Sequence, residues 1–242
     1  MKHYALIGHP LTHSFSKTYF LKKFEKHSID ADYINIEIEQ LTSTSFVKKN
    51  ALSGFNITIP HKENILSFLD ELDDEAKAVG AVNTVSVLPN SKLKGYNTDV
   101  FGFRQSIKPF LESHHERALI LGTGGSSKAI SHVLKHLGID VLYASRHPKN
   151  SNEIAYTDIS DYVLKAHLLI INCSPIGTYP NVKEFPNIPY AHITNKHLLY
   201  DLVYNPSETL FLEKGKLQGA KTLNGLSMLH LQAEKAWEIW NS

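Results

Sequence analysis

The sequence predicts an α/β fold in two domains, and three observations predict it. Short strand-like runs alternate with helical patterns along nearly the whole chain, the order that layers helices on mostly parallel sheets. The run Leu168-Leu169-Ile170-Ile171 is apolar without alternation, as a strand covered on both faces should be. A third apolar run, Ala118-Leu119-Ile120-Leu121, passes through Gly122-Thr123-Gly124-Gly125 directly into a helical pattern.

In chain order, Tyr4-Ala5-Leu6-Ile7-Gly8 reads as the first strand. A helix follows over 15–26, because Phe20, Leu21 and Phe24 are spaced to share one face. Residues 33–38 alternate at period two, and 54–59 form a strand that Pro60 ends. Ile65, Leu66, Phe68, Leu69 and Leu72 predict a helix, and 81–88 and 93–98 two strands joined by Pro89-Asn90-Ser91. A second unit begins near Asp99, its first helix ending around 112–117. Beyond the glycine-rich turn come a helix over 126–137 and strands at 139–144, 167–172 and 197–201, with a short helix near 158–165. The last helix spans 225–240, where Trp237 and Trp240 read as core or interface residues.

The 242 residues carry 25 basic and 24 acidic side chains, a net charge of +1 that gives no field to recruit nucleic acid or an anionic membrane. Fourteen histidines are scattered and no HExxH motif occurs among them, so no metal is expected. A single cysteine, Cys173, excludes an internal disulfide and suits a reducing compartment. No run reaches the ~18 apolar residues of a membrane span, and the N-terminus lacks the pattern of a signal peptide. A cytoplasmic protein, monomer or homodimer, is the expectation.

Glycines at 122, 124 and 125 let the backbone turn tightly and approach a pyrophosphate, while the following helix presents its positive end. The same turn also serves in βα units that hold no ligand. The next strand carries no acid at its end, where folds that prefer NAD place one for the ribose 2′-hydroxyl. It carries Ser145 and Arg146, with Lys149 close by. A guanidinium fork suits a 2′-phosphate, which points to NADP; the alternative is a solvated surface arginine.

In the first ~100 residues, polar groups recur beside turns. Ser14 and Ser16 stand at a helix start, where a hydroxyl caps the helix or donates to a carboxylate. Asn56, Thr58 and Lys62 flank Pro60-His61, Asn83 and Thr84 follow, and Asn97-Thr98-Asp99 closes the unit.

Eight segments in this order resemble the consecutive motifs of the shikimate dehydrogenase family. In the first unit they are Pro10-Leu11-Thr12-His13-Ser14-Phe15-Ser16, Gly54-Phe55-Asn56-Ile57-Thr58-Ile59-Pro60-His61-Lys62, Gly80-Ala81-Val82-Asn83-Thr84 and Gly95-Tyr96-Asn97-Thr98-Asp99. Gly122-Thr123-Gly124-Gly125, Asn172-Cys173-Ser174-Pro175-Ile176-Gly177, Asp201-Leu202-Val203-Tyr204-Asn205-Pro206 and Asn224-Gly225-Leu226-Ser227-Met228-Leu229 follow, with Gln232 beyond. Each alone is only suggestive; the ordered set is specific and covers the chain.

The resemblance implies an N-terminal α/β substrate domain (1–98 with 226–242) and a Rossmann-type doubly wound nucleotide-binding domain (99–225), separated by a cleft. It implies NADPH-linked reduction of 3-dehydroshikimate to shikimate in aromatic amino acid biosynthesis. Lys62 and Asp99 would be the catalytic pair. Ser14, Ser16, Thr58, Asn83, Tyr204 and Gln232 would hold the substrate. Gly122, Thr123, Gly124, Gly125 and Ser126 would line the pyrophosphate, and Ser145, Arg146 and Lys149 the 2′-phosphate. Cys173, Ser174, Val203 and Gly225 would border the nicotinamide half. The chain departs from the family pattern with Ser174 in place of threonine, Thr178 after Gly177 and a sparser 2′-phosphate site. Two alternatives stay open at this level: a quinate/shikimate dehydrogenase with relaxed cofactor use, and a non-catalytic NADP-binding regulator. The regulator is opposed by the presence of both Lys62 and Asp99.

Overall fold

A computed structural model describes residues 1–11 and 15–242 and opens on β1 (Lys2–Gly8), a strand covered on both faces. Its neighbours in sequence are α1 (Phe15–Lys26), β2 (Ala31–Glu37), α2 (Ser45–Lys49) and β3 (Leu52–Ile57). There follow β4 (Glu71–Leu72), α3 (Asp74–Val79), β5 (Thr84–Val87), β6 (Leu93–Tyr96) and α4 (Thr98–Ile107). The sheet order is β2-β1-β3-β5-β6-β4, with β1 parallel to both its neighbours and β5 antiparallel to both of its own. Successive side chains of a strand point to opposite faces, so β1 feeds two cores. Ala5 and Ile7 join Phe55, Ile57 and Val85 on one side; Tyr4 and Leu6 join Phe20, Phe24, Ala236 and Trp240 on the other.

The helix expected from Ile65 to Leu72 is not there. A 3₁₀ turn occupies Asn64–Phe68, and Glu71–Leu72 pairs with β6 as a short strand. Backbone pairing overrides the periodicity: Asp70 N–H donates to the Leu93 carbonyl, Leu93 N–H donates to Asp70 Oδ2, and Asp73 caps α3 through Ala76 N–H. The apolar residues still face the core, where Ile65 is buried and Leu66, Phe68, Leu69 and Leu72 pack beside it.

The second sheet comprises β7 (Arg117–Leu121), β8 (Asp140–Ser145), β9 (Glu153–Ala155), β10 (Leu169–Asn172), β11 (Leu198–Asp201) and β12 (Lys221–Asn224). Interleaved are α5 (Gly125–His136), α6 (Asp161–Ala166), α7 (Leu210–Leu217) and, last, α8 (Leu226–Trp240). Its order, β12-β11-β10-β7-β8-β9, is parallel throughout and reverses direction at β7/β10. That is the doubly wound nucleotide-fold order, which places a ligand crevice beyond the carboxyl ends of the two strands at the reversal. All four residues of β10 and of β11 are buried, as their unalternating sequences require.

Contacts divide the chain into Met1–Phe101 with Gln232–Ser242, and Gly102–Leu231. The divisions fall inside α4 and α8 rather than at 98/99 and 225/226, since each helix continues unbroken past the motif that marked the boundary. No helix among the described residues is long and apolar enough to cross a membrane.

Candidate active site

In the first unit, a turn after β3 carries Lys62. His61 N–H donates to the Thr58 carbonyl at 2.9 Å, and Val82 N–H donates to the Lys62 carbonyl at 2.8 Å, so both sides of the turn are pinned. The His61 ring, 1% exposed, adds a 2.5 Å contact from Nε2 to the Ile38 carbonyl. From this base the Lys62 ammonium donates to Asp99 Oδ2 at 2.6 Å. The two side chains are only 13% and 8% exposed, so the ion pair sits where its field is poorly screened. Asp99 lies in the first turn of α4, where the helix dipole favours a carboxylate.

Asn83 completes the arrangement. Its Nδ2 donates to Asp99 Oδ1 at 2.9 Å and to Gln232 Oε1 at 3.2 Å, while its Oδ1 accepts the Thr98 backbone N–H at 2.7 Å. Thr98 Oγ also donates to Gln232 Oε1 at 3.3 Å. Four of the sequence-derived residues, Lys62, Asp99, Asn83 and Gln232, are thus joined in one hydrogen-bonded set.

The set extends through residues that sequence reading did not single out as functional. Thr84 Oγ donates to Asn83 Oδ1 at 3.2 Å, Asn56 Nδ2 donates to Thr84 Oγ at 3.0 Å, and the Tyr33 hydroxyl donates to Asn56 Oδ1 at 2.8 Å. Ser16, itself buried, bonds to the Tyr33 hydroxyl, whose pKa burial pushes well above the ordinary phenol range. Polar residues inside strands were the available signal: Asn56 and Thr84 lie in the family motifs, whereas Tyr33 reads as an ordinary strand aromatic. Thr58 is half-buried at the end of β3, its N–H donating to the Ile7 carbonyl at 2.9 Å. Ser14 lies outside the described residues.

The second unit holds a pocket of about 520 Å³ at the carboxyl ends of its strands. Gly122, Thr123, Gly124, Ser145, Arg146, Lys149, Cys173 and Ser174 line it, all expected there; Ala144, His147, Tyr156 and Ile176 were not foreseen. Gly122 has φ +105°, which other residues rarely adopt. Gly124 is informative in another way: a Cβ there would meet no atom within 4 Å, so the protein's own packing does not require glycine. The missing side chain keeps space open above the α5 N-terminus, where no side chain caps the helix. Two cationic side chains and no carboxylate stand among the lining residues. An uncapped helix end, a glycine cradle with room above it and cations fit a phosphorylated dinucleotide. Gly125 and Ser126 begin α5 behind the loop. Val203 and Gly225 are outside the pocket lining, joined to each other by the Gly225 N–H donating to the Val203 carbonyl at 3.2 Å. Tyr204 follows Val203, half-buried, and burial raises its pKa.

The pocket wall at Cys173–Ile176 is held by a buried carboxylate. Asp201 Oδ1 accepts Asn172 Nδ2–H at 2.9 Å and Val203 N–H at 3.0 Å, and its Oδ2 accepts the Thr209 hydroxyl at 2.6 Å. Asn172 Oδ1 in turn accepts the Ser174 hydroxyl at 2.6 Å and its N–H at 3.1 Å. Burial pushes Asp201 from 3.8 up to about 6, against the opposing hydrogen bonds from Thr209, Val203 and Asn172. Because the folded pKa is raised, this group favours folding below its unfolded pKa and loses that contribution as pH rises through about 6. Asp201→Asn is therefore expected to gain stability relative to the parent by about 3 kcal/mol between about pH 4 and about pH 7.5, read from paired urea titrations. A pH-independent difference would contradict it.

Comparison with known proteins places these features in context. Residues 6–85 match the family model described as the shikimate dehydrogenase substrate binding domain. A curated shikimate dehydrogenase (NADP(+)) from Caldanaerobacter subterraneus subsp. tengcongensis is 37% identical, the match covering 99% of this chain and 91% of that protein. The crystal structure of shikimate dehydrogenase from Aquifex aeolicus superposes with a TM-score of 0.88 at 32% identity, covering 100% of this chain and 92% of that one. The Thermus thermophilus shikimate 5-dehydrogenase, solved in complex with NADP(H) and shikimate, gives a TM-score of 0.86 at 28% identity, with coverages of 99% and 93%.

Proposed function

Because the chain belongs to the shikimate dehydrogenase family, we propose that it catalyses the reversible NADPH-linked reduction of 3-dehydroshikimate to shikimate. The observation that carries the proposal for the catalytic residues is the buried Lys62–Asp99 pair at 2.6 Å, aligned by Asn83. NADPH, when bound, supplies a hydride to the ketone carbon. Lys62 does the complementary work at the oxygen: its ammonium stabilises the developing alkoxide and transfers one proton from Nζ to it, forming the alcohol. The neutral amine left behind is reprotonated from solvent, and in the oxidation direction the amine takes the hydroxyl proton. Asp99 keeps the ammonium oriented through the 2.6 Å bond.

Ser14 and Ser16 hold the substrate carboxylate by neutral hydrogen bonds, with Thr58 and Tyr204 as further contacts. Asn83 is assigned a different weight from the one its motif implies. Its Nδ2 already donates to Asp99 and Gln232, so it aligns those two groups. Gln232 directs its Oε1 to Asn83 and Thr98, which leaves its amide hydrogens for a ring hydroxyl. Arg146 and Lys149 hold the 2′-phosphate beside Ser145, and the Gly122–Gly124 loop takes the pyrophosphate.

The test is a spectrophotometric assay of shikimate or quinate with NADP or NAD. Rapid NADP reduction with shikimate supports the proposal; NADPH binding without turnover on any pair defeats it. Arg146→Ala is expected to raise KM for NADP about tenfold or more while KM for NAD stays within about twofold, since only the phosphorylated cofactor loses a charge-assisted contact. Equal losses with both cofactors would remove Arg146 from the 2′-phosphate site.

A further inference from the structure

Asp201 differs from the other buried polar groups of the second unit because its charge is uncompensated. The residue is 0% exposed at the carboxyl end of β11, and its bonded partners among the described residues are all neutral: Asn172, Val203 N–H and Thr209. No ion pair among the described residues includes it. A carboxylate desolvated in this way acts through a medium that screens it weakly, and keeping it ionised costs the fold stability. An asparagine would accept the same bonds from Asn172 and Val203, and Thr209 needs only to turn its hydroxyl. The fold alone therefore has no need of the negative charge.

Asp201 is joined to the pocket wall by two bonds: Asn172 Nδ2 donates to it at 2.9 Å, and Asn172 Oδ1 accepts the hydroxyl of the lining residue Ser174 at 2.6 Å. Cys173, which lines the pocket, has its thiol pKa pushed well above the ordinary range, first by burial and then by Asp201. The phenol of Tyr190 is raised by the same two causes in the same order. Arg146 and Lys149, the cations of the pocket, are exposed on the loop after β8, where solvent screens them. The wall near Asp201 thus favours positive charge in whatever part of a ligand lies against it. A nicotinamide ring is a cation when oxidised and neutral when reduced.

We propose that Asp201 is a fixed anion that biases the dinucleotide pocket toward the oxidised, cationic cofactor over the reduced, neutral one. It acts through space at the Cys173–Ile176 wall, which it also positions through Asn172 and Ser174. The field is already in place before hydride departs, so the positive charge that forms on the ring in the reductive direction is stabilised without reorganisation. This inference rests on the reading that the pocket takes NADP.

The experiment measures dissociation constants of NADP⁺ and of NADPH separately, by fluorescence titration without substrate, so no turnover enters. Asp201→Asn is expected to weaken NADP⁺ about tenfold and to leave NADPH within about twofold. Ser174→Ala cuts the bond to Asn172 but leaves the charge, and should weaken both forms by the same factor. Equal weakening of both forms in Asp201→Asn, or an unchanged ratio, would overturn the proposal and leave Asp201 a structural anchor. Asp201→Ser provides a second uncharged side chain should the asparagine variant fail to fold, and the same change in ratio is required of it. Wild-type protein that binds neither dinucleotide would sink the pocket reading itself, a result distinct from an unchanged ratio.

Discussion

Lys62→Met is expected to lower kcat for shikimate oxidation by about a thousandfold while the shikimate KM moves only a few-fold. General acid–base groups contribute about 10²–10⁴ to rate, and the role proposed for Lys62 joins that to stabilisation of the developing alkoxide. Methionine keeps the length of the stem and removes the charge and the proton. The loss therefore falls on an interaction that strengthens in the transition state, which is why kcat and kcat/KM fall together. A second consequence follows from the burial of the pair. Asp99 is 6% exposed, and of its two side-chain bonds, to Lys62 and to Asn83, the variant keeps only the second, so stability falls as well. Urea unfolding of the variant separates the two effects, and the double variant Lys62→Met/Asp99→Asn, which removes the stranded charge, should recover stability but not rate. Near-normal turnover in Lys62→Met would show that another group moves the proton. Recovered turnover in the double variant would show that the single variant failed through misfolding.

Trp240→Ala is the largest stability loss expected outside the catalytic pair, about 3–5 kcal/mol, as for other buried large-to-small aromatic changes. The indole stacks on Tyr4 at 4.6 Å between centroids and lies 5.3 Å from Phe20. Its Nε1–H donates to the Val85 carbonyl at 3.0 Å. The ring rests against Gly54, whose absent side chain makes the room: a Cβ there would come within 2.4 Å of it. Alanine leaves a cavity lined by Tyr4, Phe20 and Tyr33, and it removes the indole bond to the Val85 carbonyl. It also releases the end of α8, the helix that brings Gln232 to Asn83. The midpoint of urea unfolding should fall accordingly, and shikimate KM should rise more than NADP KM. A loss below about 1 kcal/mol would mean that the aromatic cluster closes around the gap.

Much of this is legible in the residues alone. Unalternating runs such as Leu169-Ile170-Ile171 carry their own evidence of burial on both faces, because a covered strand has no face left for polar residues. The glycine turn at 122–125 is equally local, since a positive φ and a side-chain-free approach are properties of the residues themselves. By contrast β9 and β12 escaped notice: Glu153-Ile154-Ala155 and Lys221-Thr222-Leu223-Asn224 are short edge strands with one neighbour each, too brief for a periodic signal. The Ile65–Leu72 segment misled for the opposite reason, having a helical spacing that pairing with β6 overrode.

The site divides along the same line. By itself the sequence determined the α/β class, the dinucleotide turn, the family and the residue types of the proposed catalytic pair, because each rests on local composition or on ordered motifs. Only the tertiary structure decided that Asn83 spends its amide on Asp99 and Gln232, that Tyr33 and Asn56 link Ser16 to that set, and that Asp201 stands buried with no cation bonded to it among the described residues. The physical reason is distance along the chain: Asn83 and Gln232 are 149 positions apart, and Asn172 and Asp201 are 29 apart. Hydrogen bonds between such residues exist only after the sheets have formed, and desolvation is a property of everything packed around a group rather than of its neighbours in sequence.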